Sequence, residues 1–272
     1  MQDITIIEPR SGWQVINWKE LKQYRDLFYF LVWRDVKVQY KQTVLGFIWA
    51  IIQPLVQIII FTIVFGKLAK VDSEGLPYMI FNTAAILPWT YFANSLTMSS
   101  QSLVTSANLI TKVYFPRLIV PIAPVLSKLV GFAISFVIFI PLMLYFGVYP
   151  GWGIFMLIPL LIMLMMTAAG AGMWLTSLAV QYRDIRFIMT FAVQLLMYAA
   201  PVVWSVSLVP SQYRLLYGLY PMAGVIDGFR SALLGRPFSW DIIAVGAVSA
   251  TLLFVTGALY FRRTERIFAD VA

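Results

Sequence analysis

The stretch Leu27–Leu55, LFYFLVWRDVKVQYKQTVLGFIWAIIQPL, decides how the chain is read. Arg34, Asp35, Lys37, Gln39 and Lys41 alternate with Trp33, Val36, Val38 and Tyr40, and after Thr43 no charge appears before Lys67. A basic amphipathic helix lies in a membrane interface, whereas about 20 apolar residues at 1.5 Å rise cross the hydrocarbon. One helix is therefore expected to rest on a face of the bilayer and the next to dive through it. Upstream, Asn17 and Glu20 have capping-box spacing, with Asn in place of Ser or Thr, which predicts a helix start at Trp18. Trp18, Leu21, Tyr24, Phe28 and Val32 recur at three and four residues and give that helix one apolar stripe. It reads as interfacial, because no soluble domain follows for it to pack on.

Composition agrees. Of 272 residues 61% are hydrophobic and 12% charged, against about 25% charged in soluble domains, with a mean hydropathy of +0.82. The chain is an all-α integral membrane protein on this reading. The absence of Cys and His excludes a Cys/His metal site and a thiol nucleophile, and removes the usual general base. Neither a catalytic nor a metal-binding residue is therefore assigned. The net charge of +8 reflects basic residues beside spans rather than a nucleic-acid partner. The first 43 residues carry seven Lys/Arg and no early apolar core, so no cleavable signal peptide is expected.

Residues 1–43 read as a cytoplasmic lead with the amphipathic helix, and 44–272 as one transmembrane domain. Six spans are expected, at about 44–65, 78–98, 127–146, 154–180, 187–206 and 242–261. With the N-terminus inside, fourteen Lys/Arg fall on inner segments and five on outer ones, which favours both termini inside. Lys128 is the remaining one. An ionisable residue within a span defaults to function. Leu129–Phe146 alone is long enough to cross, however, so Lys128 is expected to snorkel to the inner headgroups. Between spans 5 and 6, Pro210 to Pro221 and Met222 to Leu234 are too short to cross and read as a re-entrant hairpin of two short helices. Gly224 and Gly228 suit close helix approach there.

All twelve acidic residues lie outside the spans so drawn, which argues against an ion-driven carrier and against an intramembrane enzyme. No G-x-x-x-x-G-K-[ST] occurs, so a pump of this kind needs another polypeptide to hydrolyse nucleotide. Polar residues inside spans turn toward protein or water. Trp49, Gln53, Gln57 and Phe61 fall on one face of span 1. Asn94 shares a face of span 2 with Thr90, Thr97 and Gln101, near Trp89, Tyr91 and Phe92. Gln194 and Tyr198 do the same in span 5 with Pro201 and Ser205, and Trp204 joins the set. Amides and rings without charge suit a conduit for a neutral, hydroxyl-rich substrate. They equally suit interhelical hydrogen bonds and an interfacial aromatic belt.

The motifs WRDVKVQYKQTVLGFIWAIIQPL (Trp33–Leu55), YFPRLIVP (Tyr114–Pro121), YRDI (Tyr182–Ile185) and AAPVVW (Ala199–Trp204) resemble the permease subunit of ABC-2 type polysaccharide exporters. That family includes O-antigen, capsule and teichoic acid exporters, and the motifs do not separate its substrates. The resemblance covers nearly the whole chain from about Leu27. It implies a permease homodimer in a bacterial inner (cytoplasmic) membrane, paired with two copies of a separate nucleotide-binding ATPase that holds ATP and Mg. No cofactor is then expected in this chain itself. It also implies an amphipathic helix (about Trp18–Lys41) and a coupling helix (about Gln101–Lys112) docking on the ATPase, and extrusion of a lipid-linked glycan. The expected coupling residues are Arg34, Asp35, Lys37 and Lys41 on the first, and Leu103, Asn108, Ile110 and Lys112 on the second. The basic ones also suit anionic membrane lipids. An ABC-2 drug or lipid exporter, an ATP-independent channel or carrier and a membrane-embedded transferase are the rival readings.

Overall fold

The computed structural model describes residues 22–41, 48–110, 112–182 and 184–265. The expected helix start at Trp18 with its Asn17–Glu20 cap, the residues opening span 1, and Arg183 lie outside them. The described residues form helices and turns without strands: α1 (Arg25–Tyr40), α2 (Trp49–Phe61, continued by a π-helical turn Thr62–Leu68), α3 (Tyr78–Thr105), α4 (Ala107–Ile110), α5 (Ile119–Phe146), α6 (Leu157–Gln181, preceded by a 3-10 turn Trp152–Met156), α7 (Ile185–Ala199), α8 (Arg214–Gly218), α9 (Pro221–Leu234) and α10 (Trp240–Thr264). Among the described residues four helices are long and apolar enough to cross a membrane: Trp49–Leu68, Ile119–Phe146, Trp152–Gln181 and Trp240–Thr264.

The other two expected spans depart from that pattern. α3 has 28 residues, about 42 Å at 1.5 Å per residue, but carries too many polar side chains. It lies at the centre of the bundle between α5, α6 and α9, where neighbours cover it. α7 has only 15 residues and ends at Ala199, short of the expected Val206. Pro201 explains the early stop, because a residue before proline is driven to extended backbone, and Ala200 has ψ 148°. α5 corrects span 3 the other way, beginning at Ile119 rather than near Ser127. Pro121 is its third residue, where a missing N–H costs no helical bond. The hairpin is half as regular as expected. Its first part breaks into 3-10 turns Val206–Leu208 and Ser211–Tyr213 and the five-residue α8, and only α9 is a sustained helix.

Small residues set the closest contacts. A Cβ on Gly257 would stand 2.5 Å from the Gly170 carbonyl oxygen, so α10 and α6 touch backbone to backbone. Gly224 and Gly228 also meet close neighbours, but different ones, Ile242 of α10 and Leu160 of α6. At the end carrying α1 (the near end), Leu31, Ile119 and Ala123 form one cluster and Leu103, Phe115, Met173 and Phe261 belong to another. Tyr24 and Leu27 of α1 pack against both.

At the far end the chain after α7 runs irregularly, and its carbonyls need donors. Arg230 of α9, 3% exposed, supplies two of them and also reaches α3. Its Nε, Nη1 and Nη2 donate to the carbonyls of Phe81, Trp204 and Val202 at 3.3, 2.8 and 2.7 Å, and its guanidinium lies 3.7 Å over the Phe81 ring. Tyr78 donates to Val203 O, Tyr217 to Ala199 O and Tyr220 to Leu196 O. The loop before α3 joins in: Glu74 pairs with Arg236 and accepts from Ser205. Burial lowers the Arg236 guanidinium from its ordinary value, and nearby Asp72 opposes that shift.

Two substitutions check this account. Gly257→Ala in lipid nanodiscs should lower the melting temperature, because overpacking at a rigid backbone contact costs about 1–3 kcal/mol. Gly151→Ala, with nothing within 4 Å of the added carbon, should not. Arg230→Met strands the Val202 and Trp204 carbonyls at about 1–3 kcal/mol each, and should destabilise more than either. Arg230→Lys should recover only part of the loss, lacking the fork. A methionine variant melting like the wild type would refute the carbonyl accounting.

Candidate functional site

Pro54 cannot donate to the Ala50 carbonyl one turn back in α2. Ser135 of α5 reaches that carbonyl instead, at 3.3 Å, while also bonding Gly131 O of its own helix at 2.9 Å. α2 is thereby tied to α5 beside a small pocket of about 50 Å³, into which Gln53, Thr90, Asn94, Lys128, Gln39 and Ser135 contribute. Lys128 donates to Gln39 Oε1 at 2.9 Å, and Asp35 of α1 is within its electrostatic reach. The Lys128 side chain, expected to snorkel, is bonded to α1, the helix expected at the interface. With α5 starting at Ile119, Lys128 sits nine residues in, about 13 Å, and α1 supplies its partner.

The expected conduit residues divide. Gln53 and Asn94 meet at the pocket. Trp49 and Gln53 are exposed on α2, and Gln194 and Tyr198 are exposed on α7. Gln57 is half-buried and donates to Met197 Sδ at 3.7 Å, joining α2 to α7, while Phe61 meets Phe65 edge-on at 5.4 Å. Trp204 lies beyond α7 against Tyr217, ring centroids 5.5 Å apart. Trp89, Tyr91 and Phe92 are buried at 3, 3 and 2% exposure. Tyr91 donates to Val125 O at 2.8 Å and Trp89 packs on Phe92, centroids 5.6 Å apart. Within this chain they are core rings rather than an open lining, because the face of α3 that bears them is covered by its neighbours. Its partly open face is the polar one, Thr90, Asn94, Thr97 and Gln101.

The expected coupling residues divide too. On α1, Lys37 and Lys41 are exposed, but Asp35 is only 6% exposed and pairs with Arg34 at 2.9 Å. Its carboxylate is buried against the protein rather than offered at the surface. The expected helix Gln101–Lys112 is not one element: Gln101–Thr105 closes α3, and α4 is a separate four-residue turn. The Thr105 hydroxyl competes for the carbonyls of Gln101 and Ser102 just where the helix stops. Leu103 is buried among Phe115, Met173 and Phe261, and Ile110 packs on the same cluster. The Asn108 side chain lies outside the described residues. Lys112 is exposed beside Val113 and Tyr114, two exposed apolar residues that the sequence reading left out. Arg117 Nη1 donates to Glu265 O at 2.6 Å, tying this loop to the end of α10. Arg230 and Asp227 were also missed as partners of the fold; an opposite-charge pair three residues apart inside an apolar run was the available signal.

Comparison with known proteins follows the same layout. The family model for ABC-2 type transporters matches residues 26–234. The O-antigen export system permease protein RfbA of Myxococcus xanthus is 27% identical over 257 residues, covering 93% of this chain and 97% of its own. The protein of the same name from Klebsiella pneumoniae is 24% identical over 251 residues, covering 90% and 95%.

The Lys128–Gln39 bond makes its own prediction. Lys128→Met should accelerate amide hydrogen exchange in the second half of α1 by about tenfold, the worth of one charge-assisted bond. The exposed Lys37→Met should leave it unchanged, and equal rates in both variants would show that the bond does not hold α1.

Proposed function

The chain belongs to the ABC-2 type transporter family, and we propose that it is the transmembrane subunit of an ATP-driven exporter of O-antigen-type polysaccharide. The observation that carries this is similarity along almost the entire length to permeases named for O-antigen export, with no large part of either chain left over. The substrate on this reading is a lipid-linked glycan, and the membrane is the bacterial inner membrane.

The site geometry fits that role. ATP and Mg are bound by a partner subunit, which docks on the near end. There, exposed Lys37 and Lys41 of α1 and exposed Lys112, Val113 and Tyr114 offer charge beside apolar surface. Force applied to that plate reaches α5 through the Lys128–Gln39 bond and the Leu31 cluster. Six crossings with both termini inside follow if α3 and the α7 segment join the four apolar helices. Residues 1–43 then form the lead and lever and 44–272 the transmembrane domain. Two copies pair so that the open faces of α2 and α7, with Trp49, Gln53, Gln194 and Tyr198, flank the glycan path.

A deletion strain tests the reading. Surface polysaccharide should disappear while glycan accumulates in the cytoplasm, and the wild-type gene should restore export. Cysteines at Lys112 and Tyr114 should crosslink to the ATPase subunit. Intact surface polysaccharide with altered drug susceptibility would instead make the chain a drug or lipid exporter of the same family. Nucleotide hydrolysis by the purified chain alone would refute the division of labour.

A further inference from the structure

A second cavity, of about 220 Å³, lies at the far end beneath the chain that follows α7. Phe81, Arg230 and Ser231 form its buried floor, Asp227 and Arg214 line it, and the exposed Ser207 stands at its rim. It is several times the roughly 30 Å³ that one water takes in the liquid. Its side is closed by the Glu74 clasp, where Arg236 and Ser205 bind the Glu74 carboxylate. Glu74 sits at φ 57°, a left-handed backbone that a non-glycine residue adopts only when held. Asp72 Oδ1 accepts its N–H at 2.8 Å and Arg236 donates to its carbonyl.

The hydrogen-bond inventory of this cavity does not close. Arg230 spends three of its five N–H groups on backbone carbonyls. Arg214 Nη2 reaches Ser239 only at 3.4 Å, and Nε, 3.6 Å from Asp241, is too far for a hydrogen bond and has no partner. Asp227 keeps its buried Oδ2 without a partner. One donor and one acceptor are thus left unmatched on residues lining the same space. Both atoms lie beneath the lining, out of a water's reach, so the accessible lining selects the occupant, and its serines, carboxylates and guanidinia suit a polar one. Charge narrows the class: Arg214, Arg230 and Arg236 are balanced by Asp227, Asp241 and Glu74, which leaves no excess for a phosphate or a metal ion. A neutral polyhydroxyl compound, with a donor and an acceptor in every hydroxyl, suits a lining of serines and paired charges.

We propose that this cavity is a saccharide site, holding one neutral sugar unit of the exported chain as it leaves at the far end. The proposal rests on the glycan-export reading and adds to it a place where the sugar pauses. The Glu74–Arg236 clasp forms one wall of the site, and Ser207 lies where the sugar enters.

The test uses the full chain in lipid nanodiscs, free of sugar-based detergent, with methyl α-glucoside, α-mannoside and α-galactoside as probes in saturation-transfer NMR. At least one should give a saturable signal. Asp227→Asn should weaken its apparent affinity about tenfold or more, the worth of a hydrogen bond to a charged group. Ser207→Phe, at an exposed rim position that does not disturb the core, should abolish the signal by plugging the entrance. No saturable signal from any probe means a water-filled cavity only and overturns the proposal. So does binding that survives Ser207→Phe, which would lie elsewhere. Failure here alongside a deletion strain that accumulates glycan sinks the site alone, whereas normal surface polysaccharide in that strain sinks the function reading.

Discussion

In an apolar solvent a backbone carbonyl that leaves a helix has to find its donor inside the protein. Four freed carbonyls, those of Ala199, Val202, Val203 and Trp204, set the far half of this structure on that account. With them goes the Leu196 carbonyl, which Tyr220 bonds in addition to its helical partner. Pro201 forces the break, and the donors are Tyr220, Tyr217, Arg230 and Tyr78. Three come from the segment leading into α9 or from α9 itself, and one opens α3. Serving these carbonyls therefore fixes the hairpin against α7 and the bundle centre together. The same accounting recurs on a smaller scale where Ser135 serves the carbonyl left by Pro54.

Because the donors are rooted in α3 and α9, the polar helix α3 becomes the common element of both ends. Its first turn bonds the irregular chain through Tyr78, and Phe81 carries the Arg230 guanidinium on its ring and its carbonyl. Its last turns place Leu103 in the near-end cluster against which α1 packs. Midway, Tyr91 bonds Val125 O and Ser99 bonds Pro121 O, both across to α5. A single rod, braced at three heights, joins the surface offered to a partner with the hairpin at the other end. Shift at one end is not absorbed locally when the connecting helix is packed this densely.

The apolar runs were legible, since length and hydropathy alone located α2, α6 and α10 and the end of α5 though not its start, and Pro221 and Gly235 marked the ends of α9. What escaped were facts that depend on neighbours far away in the chain. Arg230 counts as an outer-loop charge in the sequence, because the carbonyls it serves lie 26 to 149 residues away. Trp89, Tyr91 and Phe92 read as lining because a ring on a polar helix looks available, yet enclosure by other helices makes them core. Lys128 reads as a lone charge at a span edge because its partner Gln39 lies 89 residues away. In each case the residue type was informative and its partner was not.

The serines of α3 show why composition misleads in this solvent. Ser95, Ser99, Ser100 and Ser102 look like a helix fading into a loop, yet all four are buried. A Cβ on Gly172 would come within 2.3 Å of Ser99 Oγ, so these side chains are small spacers that let α6 approach. Ser99 Oγ bonds Pro121 O, Thr176 of α6 bonds Ser99 O, and the Ser100 hydroxyl returns to Thr97 O of its own helix. The Ser99 and Ser100 hydroxyls, satisfied by backbone, cost little to bury, whereas those of Ser95 and Ser102 are buried without a partner. The small volume of all four lets the helices come close enough for dispersion to act. The polarity that disqualifies α3 as a lipid-facing span is therefore what qualifies it as the centre, and the more apolar helices take the outside because they have nothing to hide.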